Sequence, residues 1–191
     1  MVYFNAKRLL FDAEILFKCD SFTSSAFLSI SSIEESGKLY DVLYAYMKIN
    51  KDEFDVKNFK KRFMNHYKKH LSSWTKAGSK VANTGNKISN NISKLIRMIA
   101  ENKLMGTRND CIYTDIDFEK LIIRNPQQMI KKDDAYYFLE TAYEILISQI
   151  DSAFGDFWID DSINIDFEAL EKEKSLLTEK LKMLKKQYQH S

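Results

Sequence analysis

Residues 5–38 read "NAKRLLFDAEILFKCDSFTSSAFLSISSIEESGK", which contains two apolar helical patterns separated by a short polar break. The first pattern repeats apolar side chains in steps of three and four, which places them on one face of a helix. They are Ala6, Leu9, Ala13 and Leu16. We therefore predict a first helix over residues 3–19, interrupted at "CDS" before a second helix begins.

The second helix is predicted over residues 22–49 from the same alternation of steps. Its apolar positions are Ala26, Ile30, Ile33, Gly37, Tyr40, Tyr44 and Met47. A stripe of small residues runs beside them, at Ser25, Ser29, Ser32 and Ser36. Small side chains at this spacing let another helix approach closely. We expect the stripe to pack in an antiparallel manner against the first helix.

The composition indicates an all-α protein. Of the 191 residues, 45% are hydrophobic and 29% charged, while five glycines and one proline are too few for a loop-rich β architecture. The length suits a single domain over residues 1–191. A net charge of +2 gives no basis for inferring a nucleic-acid or membrane partner from bulk charge alone.

The two cysteines and the start of the chain suggest a cytoplasmic protein. Cys19 and Cys111 show no metal-binding spacing, and "MVYFNAKRLLFDAE" does not read as a secretory signal. No apolar run approaches the roughly 18 residues that a membrane span needs. With no glycine-rich phosphate loop either, we expect no cofactor and no membrane partner.

Further helices are predicted along the rest of the chain. A third covers 55–74 with Asp55 as N-cap, and the loop "KAGSKVANTGN" follows it. A fourth covers 87–104 and stops at Gly106. The segment around 105–125 lacks helical period, with a short extended piece at "CIYTDI". A long helix is predicted from Pro126 through 153.

An appended amphipathic helix is predicted over 166–189, with Asp166 as its cap. Its apolar residues occupy heptad positions, at Phe167, Leu170, Leu177, Leu181, Leu184 and Tyr188. Lys174 fills the one polar a position. Three heptads do not decide between a helix docked on its own domain and one that pairs with another subunit, so both alternatives stay open.

The second helix carries three charged residues, Glu34, Glu35 and Lys38, inside its apolar pattern. At 100° per residue, Glu34 borders the predicted core. One interpretation is a surface Glu–Lys pair contributing a few tenths of a kcal/mol. The other is a buried carboxylate that needs a cationic partner from another helix, because an unpaired buried charge costs several kcal/mol.

The third helix offers candidate partners in "FKKRFMNHYKKH". His66 and His70 lie on the Phe-rich face, flanked by Arg62 and Lys69. A histidine on an apolar face is often a satisfied core residue. The alternative is a polar cluster in which Glu34 or Glu35 orients a histidine or lysine. A metal site is not expected, because nothing resembles the Glu-x-x-His motif of metal-binding bundles.

The opening stretch resembles the AbiV family of bacterial abortive-infection proteins, and the resemblance extends over residues 4–150. The matching positions of the first two helices are Asn5, Ala6, Asp12, Ala13, Ile33, Glu34, Glu35, Gly37 and Lys38. "HYKK" is similar to the family's His-x-x-Lys, and "RNDCIYTD" to its basic residue followed by a Leu-Tyr-Val-Asp-type segment. Pro126 follows at a similar distance.

This resemblance implies a HEPN-like antiparallel helical bundle and a role in defence against phage. HEPN proteins are often dimeric and often cut RNA, so it also implies a homodimer, an RNA substrate and a phage-encoded protein as possible trigger. The arginine–histidine spacing of HEPN ribonucleases is not reproduced, because Arg62 is separated from His66 by three residues and from His70 by seven. Lys61 to His66 leaves four, with lysine in place of the planar guanidinium.

If the chain cuts RNA without a metal, the residue types suggest a division of roles. His66 would transfer protons, Lys69 or Arg62 would hold the phosphate, and Glu34 or Glu35, beside Lys38, would orient the histidine. RNA contacts would come from Lys103, Arg108 and Tyr113. The alternative is a non-catalytic helical binding protein that acts by sequestering a partner.

Overall fold

The computed structural model describes residues 2–49, 55–64, 89–113, 115–117, 122–156 and 166–189. The helices in this part are α1 Val2–Lys18, α2 Phe22–Ile49, α3 Val56–Met64, α4 Asn90–Ala100, α5 Lys103–Asp110, α6 Pro126–Met129, α7 Lys132–Asp156 and α8 Phe167–Gln189. Two three-residue strands, β1 Asp115–Asp117 and β2 Ile122–Arg124, pair in an antiparallel ladder. The helical bundle confirms the predicted all-α class.

Helices α1 and α2 form a closely packed antiparallel hairpin. Asp20 turns the chain between them with a φ of 57°. The hydroxyl of Ser25 donates to the carbonyl oxygen of Ala13 at 2.8 Å, and Ser32 donates to that of Ala6 at 2.8 Å. The short side chains allow these contacts, because a longer side chain would hold the helix backbones apart. The serine stripe therefore packs on α1 as predicted.

Helix α7 lies at the centre of the bundle and packs against α1, α2, α4 and α8. Its predicted inner face is confirmed, since Ala135, Phe138, Leu139, Ala142, Ile145, Leu146 and Gln149 are all buried. Gln149 Nε2 donates to the carbonyl oxygen of Ser36 at 2.9 Å, which ties α7 to α2. The buried apolar residues of α1, α2, α4, α5, α7 and α8 form one continuous cluster.

The helix predicted from Pro126 through 153 is interrupted, and the prediction of one continuous helix is wrong. Pro126 does occupy the first turn, but α6 ends after four residues at Met129. Ile130 adopts an extended conformation and is buried. The backbone N–H of Lys131 then donates to Asp134 Oδ2 at 3.2 Å, which caps the start of α7. Burial of the Ile130 side chain accounts for the break.

The segment predicted to be irregular around 105–125 begins with a helix, α5, so this part of the prediction is also wrong. The break after α4 falls at Asn102, which has a φ of 55°. Gly106 lies inside α5 rather than at a helix end. Leu104 is buried and anchors α5 to the core. The extended piece expected at "CIYTDI" begins at Asp115, later than predicted.

Helix α8 docks on its own chain. Leu177 and Leu184 are fully buried in the common core. The ring of Tyr188 stacks on that of Tyr136 with 3.7 Å between centroids. Lys174, the polar a position, lies 2.6 Å from a carboxylate oxygen of Asp151 on α7. The heptad therefore serves intramolecular packing, which decides between the two alternatives left open by the sequence.

Two predicted caps are confirmed. Asp55 Oδ1 accepts from the N–H of Asn58 at 3.0 Å, and Asp166 Oδ1 accepts from that of Ala169 at 2.9 Å. The rest of the third predicted helix, with His66 and His70, lies outside the described residues, as does "KAGSKVANTGN". Within the described ranges, none of the helices is both long and apolar enough to cross a bilayer.

Candidate functional site: a buried carboxylate–guanidinium pair

Glu34 is buried in the middle of α2 and pairs with an arginine from another helix. Its carboxylate is on the edge of the core, with only 5% of the residue exposed. Arg108 Nε, in the last turn of α5, lies 3.1 Å from Glu34 Oε1. The predicted burial of Glu34 is thus confirmed, and so is its need for a cation from a different helix. An ion pair of this kind holds two helices in one register, because breaking it leaves a buried charge uncompensated.

The position of Arg108 is fixed from both sides. Leu104, one helical turn earlier, is buried in the core and sets the rotation of α5. The guanidinium carbon of Arg108 lies 5.3 Å from the ring centroid of Phe27, close enough for a cation–π contact. Phe27 precedes Glu34 by two helical turns and shares its face of α2. The guanidinium therefore lies between an aromatic ring and a carboxylate.

The neighbouring carboxylate, Glu35, pairs with Lys38 one turn further along α2. Both side chains are largely shielded, with 14% and 21% of their surface exposed. In the described part of the chain, the two adjacent glutamates thus pair with different cations. Glu34 pairs with Arg108 across the helix interface, and Glu35 pairs with Lys38 within α2. Charged residues persist in an apolar helix here because each is compensated at short range.

Only some of the predicted site residues lie in the part of the chain that the structure describes. Of these residues, Glu34 meets Arg108 at the contact between α2 and α5, and Glu35 pairs with Lys38 within α2. For Arg62 the helix backbone is described but the side chain is not, and His66 and Lys69 lie outside the described residues. Their proposed contact with Glu34 stays a prediction.

The residues predicted to contact RNA differ in how available they are. Lys103 is the first residue of α5 and Tyr113 lies just beyond its end. Both are exposed, and Lys103 Nζ lies 2.6 Å from Glu101 Oε2. Arg108, predicted to bind phosphate, is instead engaged with Glu34 and only 20% exposed. Two of the three residues therefore present their side chains to solvent.

A second buried carboxylate, Glu14 on α1, escaped the sequence analysis. It accepts a hydrogen bond from the hydroxyl of Tyr143 on α7. Lys18 Nζ lies 2.6 Å away, and Lys180 of α8 lies 3.4 Å away. Burial alone would raise the pKa of Glu14, but the hydrogen bonds from Lys18 and Tyr143 outweigh it and lower that pKa. Glu14 thus stays ionised and joins three helices.

The helical period contained a signal for this carboxylate. Glu14 follows Leu10 by four residues and precedes Phe17 by three, and both of those are buried. A residue at this position must face inward. Counting Glu14 with the apolar face, as Glu34 was counted on α2, identifies it as a buried charge.

A third polar cluster links α4, α7 and α8. Ser89, the N-cap of α4, donates to Glu144 Oε2 at 2.6 Å. Lys185 Nζ lies 2.7 Å from Glu140 Oε1 and 3.6 Å from Glu144 Oε1. Burial raises the pKa of Glu144, against the opposing effect of the Ser89 hydrogen bond and the Lys185 charge. This cluster has the character of a structural connection between helices.

No group of three histidine, cysteine or acidic side chains in the described part of the chain lies close enough to bind a metal ion. His66 and His70 lie outside that part.

Comparison with known protein families identifies the chain's relatives. The HEPN AbiV family model, described as AbiV, matches residues 1–147. Neither the curated proteins nor the solved structures yield a match. The matched range includes the Glu34–Arg108 pair and ends within α7, so α8 lies beyond it. Because the match covers most of the 191 residues, the chain belongs to the AbiV family of HEPN-type proteins.

Proposed function

We propose that this chain is an abortive-infection antiphage effector that works in the cytoplasm as a homodimeric, metal-independent ribonuclease of the HEPN type. A phage-encoded protein would trigger it, and cleavage of cellular RNA would then arrest growth or translation. Family membership supports the abortive-infection, HEPN-type role. The ribonuclease activity, the dimer and the trigger are the steps that this proposal adds.

The observation that carries the proposal is the Glu34–Arg108 pair. It joins two segments that each resemble AbiV, the Ile-Glu-Glu-x-Gly-Lys segment of α2 and the basic residue of "RNDCIYTD", which are far apart in the sequence. Their meeting at 3.1 Å supports one shared site rather than two unrelated motifs. Oppositely charged side chains that meet out of solvent at a helix contact are a recurring feature of functional sites.

RNA scission without a metal needs a base for the 2′-hydroxyl, an acid for the leaving oxygen and a cation beside the phosphate. In this proposal His66 transfers the protons and Lys69 or Arg62 stabilises the phosphate. Glu34 or Glu35 orients His66, with Arg108 and Lys38 holding those carboxylates in place. Lys103 and Tyr113, both exposed, bind RNA by phosphate contact and by stacking on an unpaired base.

The experiment is incubation of the purified protein with total RNA, with and without a phage lysate, in the presence of a chelator. Time-dependent cleavage by wild type but not by His66→Ala supports the proposal. Intact RNA in every arm, together with intact RNA in arrested cells, contradicts it.

The second candidate is a non-catalytic protein of the same fold that sequesters a partner. Its supporting observation is that both carboxylates are already paired, Glu34 with Arg108 of α5 and Glu35 with Lys38 of its own helix, as in a purely structural network. Growth arrest with intact cellular RNA, unaffected by His66→Ala, distinguishes this candidate from the nuclease.

A further inference from the structure

The outer face of α1 carries two apolar side chains that are largely exposed. Phe4 is 69% and Ile15 59% exposed. Between them on the same face lie Arg8 and Asp12, joined by an ion pair at 3.2 Å. The opposite face of α1, with Ala6, packs against α2. We call Phe4, Arg8, Asp12 and Ile15 the α1 outer face.

We propose that the α1 outer face is a self-association surface on which a second copy of this chain docks its own α1 in antiparallel orientation. This inference rests on the proposed homodimer and adds which surface forms it. The observation that carries it is the order of side chains along the face. Read from either end, that order is apolar, charged, oppositely charged, apolar.

Such an order is what twofold self-pairing requires, because residue i must meet residue j while j meets i. The midpoint of Phe4 and Ile15 falls between Leu9 and Leu10, and the midpoint of Arg8 and Asp12 falls at Leu10. The two midpoints therefore agree within one residue, about 1.5 Å of helix rise. One axis would place Phe4 against the second copy's Ile15.

The same axis would place Arg8 beside the second copy's Asp12, so the charges complement each other across the contact. An unrelated partner would have no reason to match this symmetric order. A purely apolar face would not select one partner or one orientation, and a like-charged face would repel its own copy. Electrostatic complementarity is what selects a partner and its orientation.

Helix α8 borders this face and extends it. The ammonium of Lys180 lies 4.6 Å from the ring centroid of Phe11, which is on α1 beside Ile15. Met183, one turn beyond Lys180, is 62% exposed. The self-association surface therefore continues from α1 onto the edge of α8, while Leu177 and Leu184 of α8 remain inside the protomer.

The test is sedimentation velocity of the full chain over a range of concentrations. We expect wild type to reach twice the chain mass of 22.4 kDa. The Ile15→Glu variant should remain a monomer, because dimerisation would bury the new carboxylate against the apolar Phe4 side chain of the second copy. Val56→Glu, which alters an exposed apolar residue on α3, should still dimerise. Circular-dichroism melts check that both variants stay folded.

Charge-reversal variants provide a stricter test of the same surface. Arg8→Asp or Asp12→Arg alone should weaken the dimer, and the double variant Arg8→Asp/Asp12→Arg should restore it, because the reversed charges again face opposite signs across the twofold axis. A monomeric wild type at high micromolar concentration would overturn both the proposed dimer and this surface. A dimer that withstands Ile15→Glu, or a double variant that fails to recover, would overturn the surface alone.

Discussion

Arg108 Nε lies 3.1 Å from Glu34 Oε1 and joins the last turn of α5 to the middle of α2, with both side chains largely removed from solvent. The carboxylate alone would be unfavourable at this depth, and so would the guanidinium. Their proximity, together with the Phe27 ring, is what makes the charged pair compatible with an apolar helix interface.

The first prediction concerns the stability contributed by this pair. Glu34→Ala should lower the free energy of unfolding by about 3–5 kcal/mol, because it leaves the guanidinium of Arg108 without its buried counter-charge. Urea denaturation at pH 7 measures the change. Glu168→Ala removes an exposed ion pair with Lys172 and should stay within about 1 kcal/mol of wild type.

A double-mutant cycle makes that prediction specific to the pair. Arg108→Ala should also destabilise the protein, and Glu34→Ala/Arg108→Ala should cost less than the two single changes added together. Strictly additive losses would show that the two side chains do not interact in solution.

The second prediction is a pH dependence at Glu14. Its pKa is lowered in the folded protein, so the unfolded chain takes up a proton first as the pH falls. The stability contributed by Glu14 is therefore fully present above its ordinary pKa of 4.5 and is lost as the pH falls through the lower, folded value. Glu14→Gln should be destabilised at pH 7, and its difference from wild type should shrink in acid.

Tyr143→Phe tests the cause of that dependence, because it removes the hydroxyl donor and keeps the ring. The pKa of Glu14 should then rise towards its ordinary value, and the loss of stability in acid should become shallower. An acid denaturation profile that neither Glu14→Gln nor Tyr143→Phe alters would refute the assignment.

The third prediction has the opposite sign. Burial raises the pKa of Glu144, so the unfolded chain releases its proton first as the pH rises. Its effect on stability is therefore most favourable below the ordinary pKa of 4.5 and declines as the pH rises through the folded value. Glu144→Gln should lose less stability than wild type between acid and neutral pH, as followed by urea titrations at several pH values.

Local periodicity was sufficient to predict α1, α2, the inner face of α7 and the heptad of α8, because each has one strongly apolar face that must be buried. Periodicity failed to predict where one helix ends and the next begins. Gly106 looked like a helix stop, but the left-handed residue is Asn102, and burial of Leu104 lets α5 continue past the glycine. At Ile130 the chain becomes extended and the side chain is buried, a tertiary contact that the apolar period does not reveal.

In the candidate site, too, features set by a single helix could be predicted, whereas contacts between helices could not. The depth of Glu34 followed from its angle on α2, because that is a property of one helix. Its partner Arg108 did not, since the contact depends on how α5 docks, and no residue spacing specifies that. Glu14 was detectable from its own helix, whereas the contact with Tyr143 on α7 was not.

The fourth prediction tests the docking of α8 on its own chain. Leu177→Ala should cost about 2–5 kcal/mol, because Leu177 is fully buried and its removal leaves a cavity between α8 and the core. Leu176→Ala is the matched control, since the adjacent leucine is 40% exposed and should cost markedly less. Equal effects of the two substitutions on the melting temperature would mean that α8 is not held in this register.

The fifth prediction separates the nuclease from the binding protein. His66→Ala should abolish protection against phage while leaving the fold intact, because loss of a proton-transfer group typically lowers a rate by about 10²–10⁴. His70→Ala, on the apolar side of the same predicted helix, should instead lower the melting temperature. His190→Ala, which lies outside the family match, should leave both properties unchanged. Plaquing efficiency, cellular RNA integrity and circular-dichroism melts of each variant measure these outcomes together. If cells expressing His66→Ala resist phage as well as wild type does, the proton-transfer role is wrong and sequestration of a partner becomes the better explanation.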